Sequence, residues 1–396
     1  MSSLFSKIAE RIYKDGRFSV AQLRTKEART LMNETAAILS EGVNTQLPVD
    51  VPDTLRYALE ENTFTFSGFK TFHAMREIGL SLIADDGQLK PFNQFRDDVK
   101  KIHEGYNVNY LRAEYQQAVG ASQMAVKWQK IAEDGDRYDL QYRTAQDDKV
   151  REDHRLLHGT TLPPSDPFWD KYYPPNGWGC RCTVVQVRHG KYPLSDSQLA
   201  ITRGDNATAG VKQQMFRFNP GKSMKLFPPK HPYFPKNCDG CNRNGLRLAY
   251  NPQSEKCKAC GIIAKCQTEC LTTKYRKELD KWWKSNLPEV KVGKFSARRF
   301  DVSVPDGTVF VNKTFYKEVS NKHQEDPLYC LGLDYARKAH ELLAKAKKLY
   351  DEESKDHPDA TFEVWQYNGD KDFRIEFKVK RNADGRYLHF MRLYKK

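Results

Sequence analysis

The stretch that decides the organisation of this chain runs from Tyr142 to Val184 and has the sequence YRTAQDDKVREDHRLLHGTTLPPSDPFWDKYYPPNGWGCRCTV. It contains five prolines, three glycines and two tryptophans. Proline fixes φ, glycine permits tight turns, and large aromatic rings pack into cores, so this composition predicts loops held in one conformation. The run from Thr183 to Val187 is rich in β-branched residues and predicts a closing strand.

Upstream of this stretch, the pattern is mainly helical. Apolar residues recur at helical spacing from Ser2 to Thr45 and from Phe92 to Ile102, and the broadest apolar face lies between Asn107 and Ile131. A short helix is predicted from Thr54 to Glu61. It is followed by an aromatic run around Gly68, which we expect to pack against neighbouring elements: Phe64, Phe66, Phe69 and Phe72.

The quoted stretch resembles the signature of the phage head morphogenesis family, also called the Mu F-like minor head proteins. Members combine a YRTAxDxxV opening, a glycine turn, a DPFW segment and a closing CRCT, and all four occur between Tyr142 and Thr183. The resemblance covers residues 65–187 and includes the Tyr/Ala-rich helix that precedes the stretch. It implies a minor head protein of a tailed phage or prophage, acting in capsid assembly near the portal.

The same stretch contains possible metal ligands. Many members of the family carry Cys-x-x-Cys where this chain has Arg151 to His154. Two imidazoles and two thiolates are nevertheless present, and tetrahedral zinc prefers these ligand types: His154, His158, Cys180 and Cys182. The alternative is a hydrogen-bonded loop with buried thiols, in which a histidine in a tight turn caps backbone groups. The sequence leaves both open.

The charge of the chain is unevenly distributed. Its 396 residues are enough for two to four domains and carry a net charge of +14. Residues 188–284 hold +12 of this, whereas residues 1–187 sum to −2. A basic segment of this kind suits phosphate, nucleic acid or an acidic protein surface. Its Pro-rich first part, Arg188 to Lys236, predicts a tether between domains or one lying along a neighbouring subunit.

Apolar runs and cysteine placement indicate the compartment. No window approaches the roughly 18 uninterrupted apolar residues of a membrane helix, and Met1 to Glu10 lacks the apolar core of a signal peptide. Eight of the nine cysteines lie between Cys180 and Cys270, clustered in short spacings that favour metal over disulfides. We therefore expect a protein of a reducing compartment that neither spans a membrane nor is secreted by a signal peptide.

Two Cys-x-x-Cys pairs separated by fifteen residues predict a zinc ribbon with four thiolate ligands: Cys238, Cys241, Cys257 and Cys260. The segment between the pairs predicts a hairpin that turns at Asn251-Pro252. Four protein ligands leave no open coordination position, so this zinc would be structural. A redox pair and packed thiols are the alternatives. Cys266 and Cys270 could replace one pair or lie in a helix that begins near Ile262.

The C-terminal part predicts a small α+β domain. A β unit is expected within residues 297–312, followed by a helix from about Pro327 to Glu352. Three strand-like runs then follow at residues 361–367, 373–379 and 386–394, separated by Asn-Gly and Asp-Gly turns that predict an antiparallel meander.

This order of elements and the ARKAHELL motif resemble the phage-associated barnase/EndoU/RelE-like nuclease domains. The resemblance implies metal-independent RNA cleavage, which needs a base, an acid and cations on the phosphate. The candidate catalytic residues are His323, His340, Arg374, Tyr387 and His389. The candidates for nucleic-acid binding are Lys322, Arg386 and Arg392. The alternative is that His340 lies on the polar edge of its helix and that the arginines face solvent.

Together these features predict a multidomain α+β protein with a mainly helical N-terminal half, a loop-rich Mu F-like domain, a zinc-ribbon-like insert and a small C-terminal α+β domain with an antiparallel sheet. The expected divisions are residues 1–64 (helical), 65–187 (Mu F-like), 188–237 (basic linker), 238–284 (four-cysteine module and helix) and 285–396 (nuclease-like domain). The expected cofactor is structural zinc.

The expected function is head assembly near the portal. The partners would be the portal and other capsid proteins, with phage DNA or RNA as a further ligand and no membrane, and the location the virion and, during assembly, the host cytoplasm. Two alternatives remain: a delivered or packaged ribonuclease-like toxin carried on a head-protein domain, and a DNA-binding virion component.

Overall fold

The computed structural model describes residues 3–48, 50–235, 242–243, 246–247, 255–292, 295–353 and 361–396, with the backbone alone at 242–243 and 246–247. The chain divides into two compact units, Met1–Gln267 and Thr268–Lys396. The expected boundary at residue 285 therefore lies inside the second unit. Among the described residues, no helix combines the length and the apolar character that crossing a bilayer requires.

The first unit begins with helices, as the sequence predicts. They are α1 (Ser3–Lys14), α2 (Lys26–Asn44), α3 (Asp53–Leu80), α4 (Phe92–Glu104) and α5 (Leu111–Asp134). A single π turn, Gly105–Tyr110, joins the last two. The helix expected from Thr54 to Glu61 continues to Leu80, since the four phenylalanines of the aromatic run are all buried on α3.

The centre of α3 packs against two distant parts of the chain. The ring of Phe66 stacks on that of Phe227 with 3.7 Å between centroids. On another side, the long helix α10 (Glu255–Asn286) approaches so closely that a Cβ at Gly68 would overlap the side chain of Ile263. The aromatic run and its glycine thus have the packing role that the sequence predicts.

The loop-rich segment, residues 138–188, forms a small sheet with long connections. Strands β1 (Tyr138–Arg143), β2 (Thr161–Leu162) and β3 (Thr183–Arg188) pair antiparallel in the order β2-β1-β3. Two short helices, α6 (Glu152–Arg155) and α7 (Phe168–Tyr172), lie in the connections. The aromatic side chains make one core with α5, and their polar atoms are hydrogen-bonded: Trp169 Nε1 donates to the carbonyl of Pro163, and Tyr173 Oη donates to that of Met124. The prediction of fixed loops is confirmed.

Residues 188–235, the described part of the linker expected over residues 188–237, contain regular structure. They contain α8 (Ser197–Ala207) and α9 (Pro220–Ser223), and their Pro-rich end is docked on α3 and α5. Leu226 and Phe227 are fully buried, their backbone N–H groups both donate to Asn62 Oδ1, and Gln117 Nε2 donates to the carbonyl of Leu226. Burial of its aromatic side chains and hydrogen bonds between distant side chains and its backbone allow this proline-rich stretch to pack. Composition alone does not reveal these contacts.

The cysteine-rich region is described only in part. Strands β4 (Asn242–Arg243) and β5 (Leu246–Arg247) pair antiparallel. The expected turn at Asn251-Pro252 lies outside the described residues. The following helix, α10, begins at Glu255 and not near Ile262.

The second unit is built on a seven-stranded sheet. Its strands are β6 (Glu289–Val292), β7 (Phe295–Val304), β8 (Gly307–Asn312), β9 (Lys347–Glu353), β10 (Thr361–Tyr367), β11 (Phe373–Asn382) and β12 (Gly385–Lys395). The order is β6-β7-β8-β12-β11-β10-β9, and every pair is antiparallel except β12 with β8. The expected β unit and C-terminal meander are both present, so the mixed α and β character is confirmed.

The helix expected from Pro327 to Glu352 is wrong in its second half. Between β8 and β9 the chain forms α11 (Lys313–Asn321), α12 (Tyr329–Tyr335) and α13 (Ala339–Leu343). Residues 347–353 instead form the edge strand β9, which pairs with β10. Leu349, which fits the helical pattern, is half exposed on this strand. Tertiary pairing has overridden a local periodicity here.

Candidate functional site

Three of the predicted metal ligands form one cluster in the loop-rich segment. His154 lies on α6, and Cys180 and Cys182 lie just before β3. Nδ1 of His154 is 3.8 Å from Sγ of Cys180 and 3.6 Å from Sγ of Cys182, and all three ligand atoms lie within 4.8 Å of one another. His154 and Cys182 are buried, whereas Cys180 is half-buried. This cluster could hold a metal ion.

Two arginines connect the loops that carry the cluster. Arg181, between the cysteines, makes a bidentate pair with Asp147, with N–O distances of 2.5 and 2.6 Å. The Arg181 guanidinium holds the pKa of the Asp147 carboxyl at about 2. Arg151 donates through NH2 to the carbonyl of Trp178 at 2.6 Å. No local pattern predicts the contact between Asp147 and Arg181, because the two partners are 34 residues apart.

The two thiols have different environments. A hydrogen bond from Cys182 lowers the pKa of the Cys180 thiol, and a second one with His154 lowers it further, against the opposing effect of burial. The same contact with Cys180, together with burial, raises the pKa of the Cys182 thiol. Cys180 is therefore the sulfur that first carries a negative charge, the form in which cysteine binds metals.

His158 does not belong to the cluster. Its Nδ1 accepts a hydrogen bond from the backbone N–H of Thr144 at 3.1 Å, and its Nε2 lies 3.0 Å from Nε2 of Gln146. Its imidazole closes the loop after β1, as the alternative explanation of a histidine in a tight turn predicts. The predicted four-ligand set is therefore reduced to three.

The predicted four-cysteine site is described at two of its positions. Cys238 and Cys241 lie outside the described residues. Cys257 and Cys260 lie one turn apart at the start of α10, where Cys260 is buried and Cys257 is half-buried. Cys266 and Cys270 follow on the same helix.

In the second unit, five of the predicted residues line one open groove of about 1040 Å³: Lys322, His323, Tyr387, His389 and Arg392. Lys378 and Lys380 of β11 and the carboxylates of Glu318, Glu352 and Glu376 also line it. These two lysines were not among the predicted site residues. The alternation of side chains along β11 nevertheless places both on one face of the strand.

A β-bulge aims His389 into the groove. Lys378 pairs with Phe390 and the next residue, Val379, pairs with Leu388, which leaves His389 as the extra residue of β12. A bulge turns two successive side chains toward the same face, so His389 and Phe390 both line the groove, beside the buried Leu388. No residue pattern in the sequence predicts this bulge.

The surroundings of His389 favour its neutral form. Its Nε2 lies 3.4 Å from Nζ of Lys322, which also pairs with Glu318 at 2.9 Å. Partial burial, and then the charge of Lys322, lower the pKa of His389 from its ordinary value of 6.5. A neutral imidazole at neutral pH can accept a proton.

Three predicted residues lie elsewhere. The ring of His340 stacks on Phe300 with 3.8 Å between centroids, and the guanidinium of Arg374 lies over the ring of Tyr394. Arg386 pairs with Glu363, which is 1% exposed and also accepts from Arg381. Arg386 therefore neutralises a buried carboxylate in this unit.

Comparison with known proteins identifies one part of the chain. Residues 90–185 match the family model described as Phage Mu protein F like protein. The Mu-like prophage FluMu F protein of Haemophilus influenzae is 28% identical over 169 residues, which are 41% of this chain and 39% of that protein. The putative capsid assembly protein F of Escherichia phage Mu is 34% identical over 83 residues, 20% of this chain and 16% of that protein. The chain thus spans well under half the length of these relatives. No solved structure gives a significant match.

Proposed function

Since residues 90–185 belong to the Phage Mu protein F like family, we propose that this chain is a phage or prophage head protein that acts in capsid assembly. Its partners are the portal and other capsid proteins, and it resides in the virion and, during assembly, in the host cytoplasm. The observation that carries the proposal is the family match over α4, α5 and the three-stranded sheet of the loop-rich segment.

Charge and exposure support protein partners for this part of the chain. Residues 1–187 have a net charge of −2, so they exert no general attraction on phosphate. Leu156, which follows α6 in this part of the chain, is 57% exposed and is therefore accessible to another protein. The DNA-binding alternative is left to residues 188–284, which carry +12. Binding to DNA through them would weaken steeply as salt rises.

The test is mass spectrometry of particles purified from cells that produce the phage. The chain is expected in mature or assembling heads, and chemical cross-linking is expected to join Lys149 or Lys171 to the portal protein. A chain that is expressed in the same cells but missing from purified heads and precursors would remove the assembly role. Cross-links to the major capsid protein alone would remove the portal contact.

We propose metal-independent RNA cleavage in the second unit as a second candidate function, alone or as a packaged toxin. The observation that favours it is the meeting of Lys322, His323 and His389 in one groove. A neutral His389 could take the proton of a 2′-hydroxyl, His323 could protonate the leaving oxygen, and the cations of Lys322 and Arg392 could bind phosphate.

The full chain incubated with RNA, with and without chelator, tests this candidate. Cleavage is expected in both conditions and is expected to fall by roughly 10²–10⁴-fold in His389→Ala. His340→Ala is the matched control, because His340 is a half-buried histidine of the same unit that lies away from the groove. Intact RNA with the wild-type chain, or equal loss in the two variants, would contradict the proposal.

We also retain the proposal of a structural zinc bound by Cys238, Cys241, Cys257 and Cys260. Its support is the spacing of the two pairs and the placement of Cys257 and Cys260 one helical turn apart, where both sulfurs lie on one side of α10. The expected result is zinc that elemental analysis detects in the wild type and that decreases in Cys257→Ser. Zinc content unchanged by this substitution would contradict it.

A further inference from the structure

We propose that His154, Cys180 and Cys182 bind one Zn²⁺ ion that joins α6 to the Cys-Arg-Cys segment before β3. This site is separate from the four-cysteine site and excludes His158. It does not depend on the capsid role of the chain.

The distances within the cluster match those of a tetrahedral zinc site. With Zn–S near 2.3 Å and Zn–N near 2.0 Å, ligand atoms at tetrahedral angles lie about 3.5 Å apart for a nitrogen and a sulfur. The two observed separations from Nδ1 of His154 are 3.6 and 3.8 Å. A single ion can therefore contact all three atoms with little rearrangement, although the two cysteines are separated by one residue only.

The donor atoms and their surroundings suit a thiophilic cation. Two sulfurs and one imidazole nitrogen are ligands that zinc prefers, and among the described residues no carboxylate, which would favour magnesium or calcium, belongs to the group. The nearby Asp147 is engaged by Arg181.

Three protein ligands leave the fourth position of a tetrahedron to a water molecule. Cys180 is the half-buried member of the group, so the water would lie on its side of the cluster. His158 does not supply this ligand, because Thr144 and Gln146 already engage its two ring nitrogens.

The ion would connect two loops that have little regular structure. Residues 144–160 contain only the single turn of α6, and the chain from 173 to 182 contains no helix or strand. The ladder of hydrogen bonds between β1 and β2, beside these loops, is short. A metal bound by His154 and by cysteines 26 and 28 positions further on would restrain both loops directly. The Asp147–Arg181 ion pair joins the same two loops just before β3, so the ion would have the same restraining role.

Elemental analysis of the full chain, purified without chelator, tests this proposal in a Cys257→Ser background that removes the other candidate site. About one zinc per chain is expected to remain, and His154→Ala in that background is expected to lower it severalfold. His158→Ala is the matched control and is expected to keep the ion, since it removes a neighbouring histidine that lies outside the cluster.

Cobalt provides a readout that does not depend on a folded His154 variant. The Cys257→Ser chain loaded with Co²⁺ is expected to show thiolate-to-cobalt charge-transfer absorption. Cys180→Ser should weaken it, because it removes a half-buried sulfur with a change of one atom. A Cys257→Ser chain with neither zinc nor this absorption would overturn the proposal. So would a loss of metal in His158→Ala equal to that in His154→Ala.

Discussion

The loop-rich segment and the C-terminal groove each place a histidine beside other reactive side chains, and they do so in different ways. In the loop-rich segment the cluster residues lie within 28 positions of one another, and the turns, prolines and aromatics that place them lie in the same stretch of sequence. The groove joins His323 and Lys322, at the end of α11, to His389 of β12, about 67 residues further on, through a seven-stranded sheet. Local placement leaves a recognisable sequence signature, whereas placement through a sheet does not.

The two clusters also differ in solvent exposure. His154 is 3% exposed and contacts two thiols, whereas the groove is open and contains many charged side chains. Burial favours a stabilising or metal-binding role for the first, because few solvent molecules can compete for its ligands. An open groove with cations and a neutral imidazole favours contact with an anionic ligand for the second.

The largest effect is expected from breaking the local core. Trp169→Ala removes a fully buried indole that packs on Phe168 and Tyr173, and should lower the free energy of unfolding by about 3–5 kcal/mol. Urea unfolding measures the loss, and hydrogen exchange should localise it to residues 138–188. The control is Trp178→Ala, where the ring is half-buried and a smaller loss is expected. Equal losses would show that the segment does not depend on its own core.

A smaller effect is expected from the long-range ion pair of the second unit. Arg386→Ala leaves the buried carboxylate of Glu363 with one fewer cation and should cost about 2–3 kcal/mol near neutral pH. Arg381→Ala, at a more exposed arginine that contacts the same carboxylate, is the control and should cost less.

The pH dependence of this pair has a defined sign. Burial raises the pKa of Glu363, but hydrogen bonds from Arg386 and Arg381 outweigh it and hold the pKa below its ordinary value of 4.5. A depressed folded-state pKa adds stability above the unfolded value, and this contribution is lost as pH falls through the folded value. The difference between wild type and Arg386→Ala should therefore shrink below about pH 4.5 in unfolding experiments. A constant difference would contradict this assignment.

A third effect concerns the Pro-rich segment docked on the helices. Asn62→Ala removes the acceptor of the Leu226 and Phe227 amides and should cost about 1–3 kcal/mol, because both donors would remain buried. Asn62→Asp keeps an acceptor oxygen and should retain more of the stability. Faster amide exchange confined to these two residues in Asn62→Ala would confirm the contact. Unchanged exchange would show that the segment is held by its aromatic side chains alone.

The smallest effect is expected in the groove. Lys322→Ala removes the cation beside His389, so the pKa of His389 should rise while the effect of burial persists. Titration of the imidazole by NMR measures this directly and needs no substrate. His340, which stacks on Phe300 away from the groove, provides an internal control in the same spectrum. An unchanged pKa of His389 would show that burial alone sets its protonation.

The comparison explains which parts of the fold and the sites were predictable. The helices of the N-terminal region and the strands of the meander follow patterns of adjacent residues, and their positions were predicted from them. The prediction of a helix through Leu349 was wrong, because that segment pairs with β10 and forms a strand. The packing of the Pro-rich segment was not predicted. Asn62 and Gln117, which form hydrogen bonds with its backbone, lie more than 100 positions away in the sequence.

The sequence by itself determined the composition of the loop-rich segment and its likeness to the Mu F-like family. It also named four ligand candidates there, three of which the structure brings together. These depend on backbone constraints from proline and glycine and on spacing within one stretch. Tertiary structure alone decided that His158 bonds to Thr144, that Arg386 neutralises Glu363, and that a bulge turns His389 into the groove. Each of these depends on a partner brought near by folding, and such a partner leaves no trace in the neighbouring residues.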